Sequence, residues 1–292
     1  MSSPLFSVII PTFNRADKLR RALDSLVAQS FSDFEVLVCD DGSTDGTDEV
    51  VESFSEKLKI RHLWEENFGG PARPRNRGIT ASAGDWLCFL DADDWWYPRK
   101  LEQVSRVLQD ADFIFHDCDV VTPGGVRRFA RKSMLPRQPA FVDFMTRGCR
   151  VITSSVSVRR ELLDRVGRFT EARDFIAVED SDLWIRISLV TERFCYLPEH
   201  LGAYWEDGNN ISVFSESYIH RITALHGKFA HLLGPADRAE DELLLAYRTA
   251  IVNRAIGRKI ESRELFRKTV SSRNPRIRFY SMLYLLRLLL NR

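Results

Sequence analysis

WLCFLDADDWW, residues 86–96, decides how this chain is read. Five apolar residues run up to Asp91, Asp93 and Asp94, and Trp95 and Trp96 follow. A short apolar run that stops at a cluster of acids reads as a buried strand ending at a polar edge. Two carboxylates separated by one residue on a tight turn can hold a divalent cation beside a diphosphate. Ligation by oxygen alone favours magnesium or manganese over zinc.

The same pattern recurs upstream. Ser7 to Ile10 predicts a buried strand, and Ala16 to Gln29 a helix with Leu19, Ala22, Leu23, Leu26 and Val27 as its apolar stripe. Asn14 is placed to cap that helix and Asp17 suits its first turn. Phe34 to Cys39 reads as a second strand, followed by a turn-rich loop and a helix from Thr47 to Phe54. Ile60 to Trp64 is a third strand and Trp86 to Leu90 a fourth. A helix from Pro98 to Leu108 precedes another strand starting at Phe113. Strands alternating with helices imply right-handed crossovers and a mainly parallel sheet. Ligands of such sheets bind beyond the carboxyl ends of the strands, and Asp40, Asp41, Asp91, Asp93 and Asp94 all fall there. Five carboxylates at two strand ends repel one another unless a cation or donor groups neutralise them.

Downstream, Ile152 to Arg159 alternates like a strand, and Ser181 to Leu189 reads as a helix after the acids of AVEDSDLWIRI, residues 177–187. From Ser215 the pattern is almost wholly helical, so a boundary is expected near Phe214. The expected organisation is an α/β domain over 1–214, with halves over 1–118 and 119–214, then a helical region over 215–292.

Composition narrows the function classes. Of 292 residues, 44% are hydrophobic and 28% charged, an ordinary globular balance, and the formal net charge of +1 provides no general attraction to nucleic acid. The five cysteines are widely spaced without a CxxC pair and read as reduced core residues. The N-terminal MSSPLFSVIIPTFNR carries neither a secretory pattern nor a membrane span. A cytoplasmic setting is expected. Charge is uneven only at the end, where five arginines and no acid follow from Arg273. RIRFYSMLYLLRLLL, residues 276–290, reads as a basic amphipathic helix, either packed on the protein or lying on an anionic inner membrane surface with Leu285, Leu286, Leu289 and Leu290 in the boundary region.

Three further motifs carry chemistry. In VCDDGSTDGT, residues 38–47, Asp40 or Asp41 could accept a hydrogen bond from a nucleobase, while Ser43, Thr44 and Asp45 suit a polar turn before a helix. NFGGPARPRNRG, residues 67–78, lacks the order of a phosphate-wrapping P-loop, but its Arg73, Arg75 and Arg77 could meet base, ribose or phosphate. Glu179 and Asp180 could cap a helix or supply the general base that a hydroxyl nucleophile needs.

Together with SVIIPTFNR, these motifs resemble the family 2 inverting glycosyltransferases, in family order over roughly residues 5–190. The resemblance implies the GT-A fold, an α/β architecture with a mainly parallel nucleotide-binding sheet flanked by helices. It implies transfer of a sugar from a nucleotide diphosphate donor, a uridine diphosphate in particular, to a glycan or lipid-linked acceptor. By position it assigns Pro11, Thr12, Phe13, Asn14, Asp41, Arg73, Asp91 and Ala92 to the nucleotide. Asp93 would bind the Mn or Mg ion, with Asp94 and Asp207 as further candidates, and Asp180 would be the base. One departure stands out in YWEDGNNIS, residues 204–212, where Asp207 and Trp205 take places at which relatives commonly carry His and Arg. A sugar-1-phosphate nucleotidyltransferase is the nearest rival, but it calls for a glycine-rich basic loop where Pro11 to Asn14 stands. A non-catalytic nucleotide-sugar-binding protein would lack the acidic pair or the base. Homo-oligomerisation is left open.

Overall fold

A computed structural model describes residues 3–125, 127–131, 133–208 and 214–290, with the backbone alone for 127–131 and 288–290. Asn209 to Ser212 and Arg292, both named in the sequence reading, lie outside these residues. In chain order the elements are β1 (Phe6–Thr12), α1 (Ala16–Val27), β2 (Phe34–Asp40), α2 (Thr47–Glu52), β3 (Ile60–Trp64), α3 (Ala72–Ala81), β4 (Trp86–Phe89), β5 (Trp95–Trp96), α4 (Lys100–Ser105), β6 (Phe113–Val121) and β7 (Arg127–Arg131). Then come α5 (Ala140–Arg147), β8 (Ser157–Arg159), α6 (Arg160–Val166), α7 (Glu179–Ser188), β9 (Phe194–Trp205), α8 (Glu216–Phe229), α9 (Pro235–Ala255), α10 (Lys259–Thr269) and α11 (Pro275–Leu290).

The chain forms two compact units that do not follow chain order. The first comprises Met1–Leu135, Arg150–Glu171 and Arg186–Gly208, the second Pro136–Cys149, Ala172–Ile185 and Asn209–Arg292. The first holds the sheet, ordered β3-β2-β1-β4-β8-β6-β9-β5 with β7 beside β6. β3, β2, β1 and β4 run parallel, whereas β8 is antiparallel to both of its neighbours. The strand expected over Ile152 to Arg159 is shortened to β8, because Thr153–Ser155 form a 3₁₀ turn.

Every residue of β1 is buried, since the sheet is covered on both faces. Val8, Ile10, Val36 and Val38 pack with Leu19, Leu23 and Leu26 of α1 on one side. On the other, Gly78 of α3 lies against Ile9 and Cys39. Val27, counted in the helical stripe, is 44% exposed, because the buried stripe ends at Leu26 and the next residue of the helix points away from it. Register sets Thr12 beside Asp40 and Asp40 beside Trp64. The polar ends of β1, β2 and β4 therefore share one edge.

Close packing also fixes the turn before β4. A Cβ on Gly84 would lie 2.7 Å from the Phe6 carbonyl carbon and the Ser7 nitrogen, both backbone atoms that cannot swing away. The Gly84 N–H donates to Ser7 Oγ at 2.8 Å, and that hydroxyl donates to buried Glu35 at 2.8 Å. Gly84→Ala is therefore expected to destabilise by about 2–3 kcal/mol through overpacking. Gly227→Ala, inside α8 with nothing within 4 Å of the added Cβ, is expected to stabilise by about 0.5–1 kcal/mol. Thermal unfolding of the two variants checks the opposite signs.

In the second unit, Ala250, Phe266 and Tyr284 form a small core among α9, α10 and α11. His226 Nδ1 of α8 and the Asp241 carboxylate of α9 form a buried hydrogen bond. α11 buries Ile277, Ser281 and Tyr284, one turn apart, and exposes Phe279, Tyr280, Met282 and Leu286. Leu285, expected at a membrane boundary, packs against the Phe266 core instead. Helical geometry puts it one residue from Tyr284 on the inward side. No helix among the described residues is long and apolar enough to cross a membrane.

Candidate functional site

The shared edge of β1 and β2 is built by reciprocal loop bonds. The Asp41 N–H donates to the Thr12 carbonyl at 2.9 Å. Asn14, with φ of 49°, donates its N–H to Ser43 Oγ and accepts the Thr44 N–H on its side chain, each at 2.8 Å. It is therefore a loop staple and not the cap of α1. The Asp45 carboxylate takes over that duty from across the loop, accepting the Ala16 N–H at 2.9 Å. Of the other candidates here, Phe13 is 44% exposed and Thr12 is buried.

The two acids after β2 have different partners. Asp40 accepts from His62 Nε2 at 3.0 Å and from the Ser43 N–H at 2.8 Å. Burial opposes its charge, but hydrogen bonds from His62 and Ser43 prevail and hold its carboxyl below the usual value. Asp41 turns to the glycine-containing loop, accepting from the Phe68 N–H at 3.1 Å, the Gly69 N–H at 3.0 Å and Asn67 Nδ2 at 3.2 Å. A carboxylate offers about four acceptor positions, so the loop occupies most of them. Arg77 donates to the Asp40 and Leu63 carbonyls at 2.6 and 2.7 Å, which ties β2 to β3. Arg73 lies 3.7 Å from Glu65 and stacks its guanidinium 4.8 Å from the Phe68 ring centroid. Its side chain is about half exposed.

Beyond β4 the three acids diverge. Asp91 is bound by Arg75 at 2.6 Å, and its N–H donates to Ser154 Oγ at 3.1 Å. Ala92 is buried in the turn. Asp93 pairs with Arg15, and its carbonyl accepts from Arg21 at 2.6 Å. Burial pushes the Asp93 carboxyl upward, Arg15 pulls it down, and Asp91 adds to the rise. Asp94 points inward, accepting the Ser154 hydroxyl at 2.5 Å and the Trp205 N–H at 2.8 Å. Burial raises its pKa well above the usual value, and Asp93 and Asp91 raise it further. Its two oxygens fasten the turn to Ser154 and β9.

One face of α1 supplies the counter-charge. Lys18 donates to Asp207 at 2.6 Å, and the Trp205 indole N–H reaches the same oxygen at 3.2 Å. Arg21 stacks 4.0 Å from the Trp95 ring centroid and 4.5 Å from that of Trp205. Sequence reasoning passed over Arg15, Lys18 and Arg21, although their three-residue spacing puts them on one helical face. Ser154 and His62 carried no comparable signal.

The acids of the fourth motif belong to the second unit. Ala177 has φ of 67°, α7 starts two residues later, and the Ser181 N–H donates to the Asp180 carboxylate at 2.6 Å. Glu179 and Asp182 are buried.

Comparison with known proteins bears directly on these motifs. The model of the family described as Glycosyl transferase family 2 matches residues 7–167, more than half of the chain. The amylovoran biosynthesis glycosyltransferase AmsB of Erwinia amylovora is 31% identical over 211 residues, covering 68% of this chain and 69% of AmsB. An uncharacterized glycosyltransferase of Nostoc sp. is 35% identical over 170 residues, covering 55% of this chain and 52% of its own length. The chain thus spans about half the length of the latter. Among solved structures, S. aureus TarS 1–349 in complex with UDP-GlcNAc superposes with a TM-score of 0.70 at 23% identity, covering 93% of this chain and 82% of that one. The mannosyltransferase PcManGT from Pyrobaculum calidifontis, in complex with GDP-Man and Mn2+, gives 0.63 at 19% identity, covering 99% and 81%. The α/β architecture is that of the GT-A glycosyltransferases, as the motifs implied.

Proposed function

Because the chain belongs to glycosyl transferase family 2, we propose that it moves a sugar from a uridine diphosphate donor to a hydroxyl of a glycan or lipid-linked acceptor. The observation that carries the reading is the polar edge itself, where the Thr12–Asn14 loop, Asp41 and the Asp91–Asp93 turn meet at adjacent parallel strands. Pro11, Thr12, Phe13, Asn14, Asp41 and Arg73 would line the base pocket, with Asp91 and Ala92 at the ribose. The uridine choice is supported by the complex of TarS with UDP-GlcNAc. Residues 1–118 would form the donor half, 119–214 the acceptor half, and 215–292 a helical addition.

Transfer would proceed by a single displacement with inversion. Asp180 accepts the proton of the acceptor hydroxyl as its oxygen attacks the anomeric carbon, and the bond to the diphosphate breaks on the opposite face. Arg15 and Lys18 bring positive charge toward the departing diphosphate. The carboxylates fit a magnesium or manganese ion only jointly with the nucleotide. Among the described residues no three His, Cys, Asp or Glu side chains group to hold a metal, and such ions are commonly bound by one or two carboxylates plus substrate phosphates. Asp93, now beside Arg15, would be the main ligand, with Asp94 and Asp207 as further candidates, and the ion would supply Lewis-acid stabilisation of the leaving group.

The donor assignment is tested by thermal shift over a panel of nucleotide sugars. A donor at about 100 times its Kd adds about 2.7 kcal/mol of stability. Uridine diphosphate sugars are expected to raise the midpoint more than guanosine or thymidine forms, and Asp41→Ala is expected to weaken UDP binding in calorimetry. Equal shifts across the bases would remove the uridine preference, and unchanged affinity would remove Asp41 from the pocket.

The exposed face of α11, with Phe279, Tyr280, Met282 and Leu286 beside its arginines, supports peripheral attachment to an anionic inner membrane surface. Phe279→Glu combined with Leu286→Glu leaves buried Ile277 and Tyr284 untouched. This variant is expected to lose co-sedimentation with anionic vesicles, and the unmodified chain to lose it as salt rises. Equal sedimentation of both proteins rejects the membrane role. Loss of self-association instead would make this face a subunit contact.

A further inference from the structure

We propose that Lys228 of α8 is a positioning residue that holds the turn carrying Asp180. The proposal rests on the reading of Asp180 as the base, and it concerns what keeps that residue in place.

The turn is held in an unusual conformation. A 3₁₀ turn over Arg173–Phe175 leads to Ala177, whose φ of 67° lies in the left-handed region. A side chain other than glycine persists there only when its surroundings enforce it. The Val178 N–H donates to the Phe175 carbonyl and the Asp182 N–H to the Val178 carbonyl, both at 3.0 Å. Lys228 reaches the chain on both sides of Ala177. Its Nζ lies 2.5 Å from Asp182 Oδ1 and 5.0 Å from the Phe175 ring centroid.

The Asp182 side chain is fully buried, whereas that of Lys228 is 36% exposed. A buried carboxylate depends on protein partners that replace its water. The ammonium thus fastens the first turn of α7 from outside, while its contact with the Phe175 ring fixes the chain entering that turn. α8 is itself anchored, because His226, two residues before Lys228, pairs with Asp241 of α9. Lys228 lies well beyond residue 167, where the family match ends. The helical region would then contribute to chemistry through a residue outside the matched segment.

The test uses the full chain with Lys228→Met, Lys228→Arg, Asp182→Asn and the Lys228→Met/Asp182→Asn double variant. Steady-state kinetics and amide hydrogen exchange over residues 175–182 are read together. Lys228→Met is expected to lower kcat by about tenfold to a hundredfold, the scale of a small misplacement of a reacting group. KM for the donor should stay unchanged and exchange should quicken at Val178 to Asp182. Lys228→Arg should restore both. The double variant should regain part of the loss, since the carboxylate that lost its ammonium is removed with it.

Wild-type kcat and exchange in Lys228→Met overturn the proposal. So does a loss spread over the whole chain together with a raised donor KM. If Asp180→Asn stays fully active while Lys228→Met still quickens exchange in the turn, the base reading falls and the hold on the turn stands. If Asp180→Asn is inactive and Lys228→Met behaves as wild type, the base reading stands and the positioning role falls.

Discussion

Asp180→Asn is expected to slow sugar transfer by about two to four orders of magnitude while leaving donor affinity intact. Asparagine keeps an oxygen for the Ser181 N–H, which Asp180 accepts at 2.6 Å, so the start of α7 retains its contact. It cannot take up a proton at neutral pH. A hydroxyl acceptor attacks slowly unless its proton is removed as the new bond forms, and no other group in the proposed mechanism has that task. Single-turnover kinetics with saturating donor isolates the chemical step, and NMR of the product reports the anomeric configuration. Retained configuration would rule out the single displacement. Collapse of folding and donor binding together would make Asp180 a helix-start residue and nothing more.

Asp93→Ala is expected to abolish the metal-dependent part of nucleotide binding and to lower transfer by at least about 10²–10³-fold, the scale of removing one preorganised stabiliser of developing charge. Asp93 is buried and pairs with Arg15. The substitution therefore also frees a guanidinium, which can still meet a phosphate. Metal-independent UDP binding should consequently persist or strengthen in the variant. Calorimetry of UDP with and without manganese separates the two contributions. Full activity of the unmodified chain in excess chelator would remove the ion from the mechanism.

The residues that carry the family were legible without coordinates. Alternating apolar runs and helical stripes located β1, α1, β2, β3 and β4, since burial of one stripe or strand is written in local periodicity. The acids at the strand ends followed from that placement, because strand order along a parallel sheet puts those ends on one edge. The cap of α1 was misread for a physical reason. Asn14 has the right chemistry, but its left-handed backbone turns its amide toward Ser43 and Thr44, and Asp45 caps from another loop.

By itself, then, the amino-acid order determined the family, the parallel strands β1 to β4 and the list of carboxylates. The tertiary structure alone decided which carboxylate faces which partner. Arg15 meets Asp93 across 78 positions and Lys18 meets Asp207 across 189. Asp94 turns away from its neighbours to Ser154 and Trp205, which lie 60 and 111 positions away. Leu285 turns inward while Leu286 faces out. Periodicity and turn chemistry act over a few residues, but the partner of a charge is set by where distant segments return. A buried carboxylate must then find its donor or shift its pKa, because removing it from water costs more than any local preference can offset.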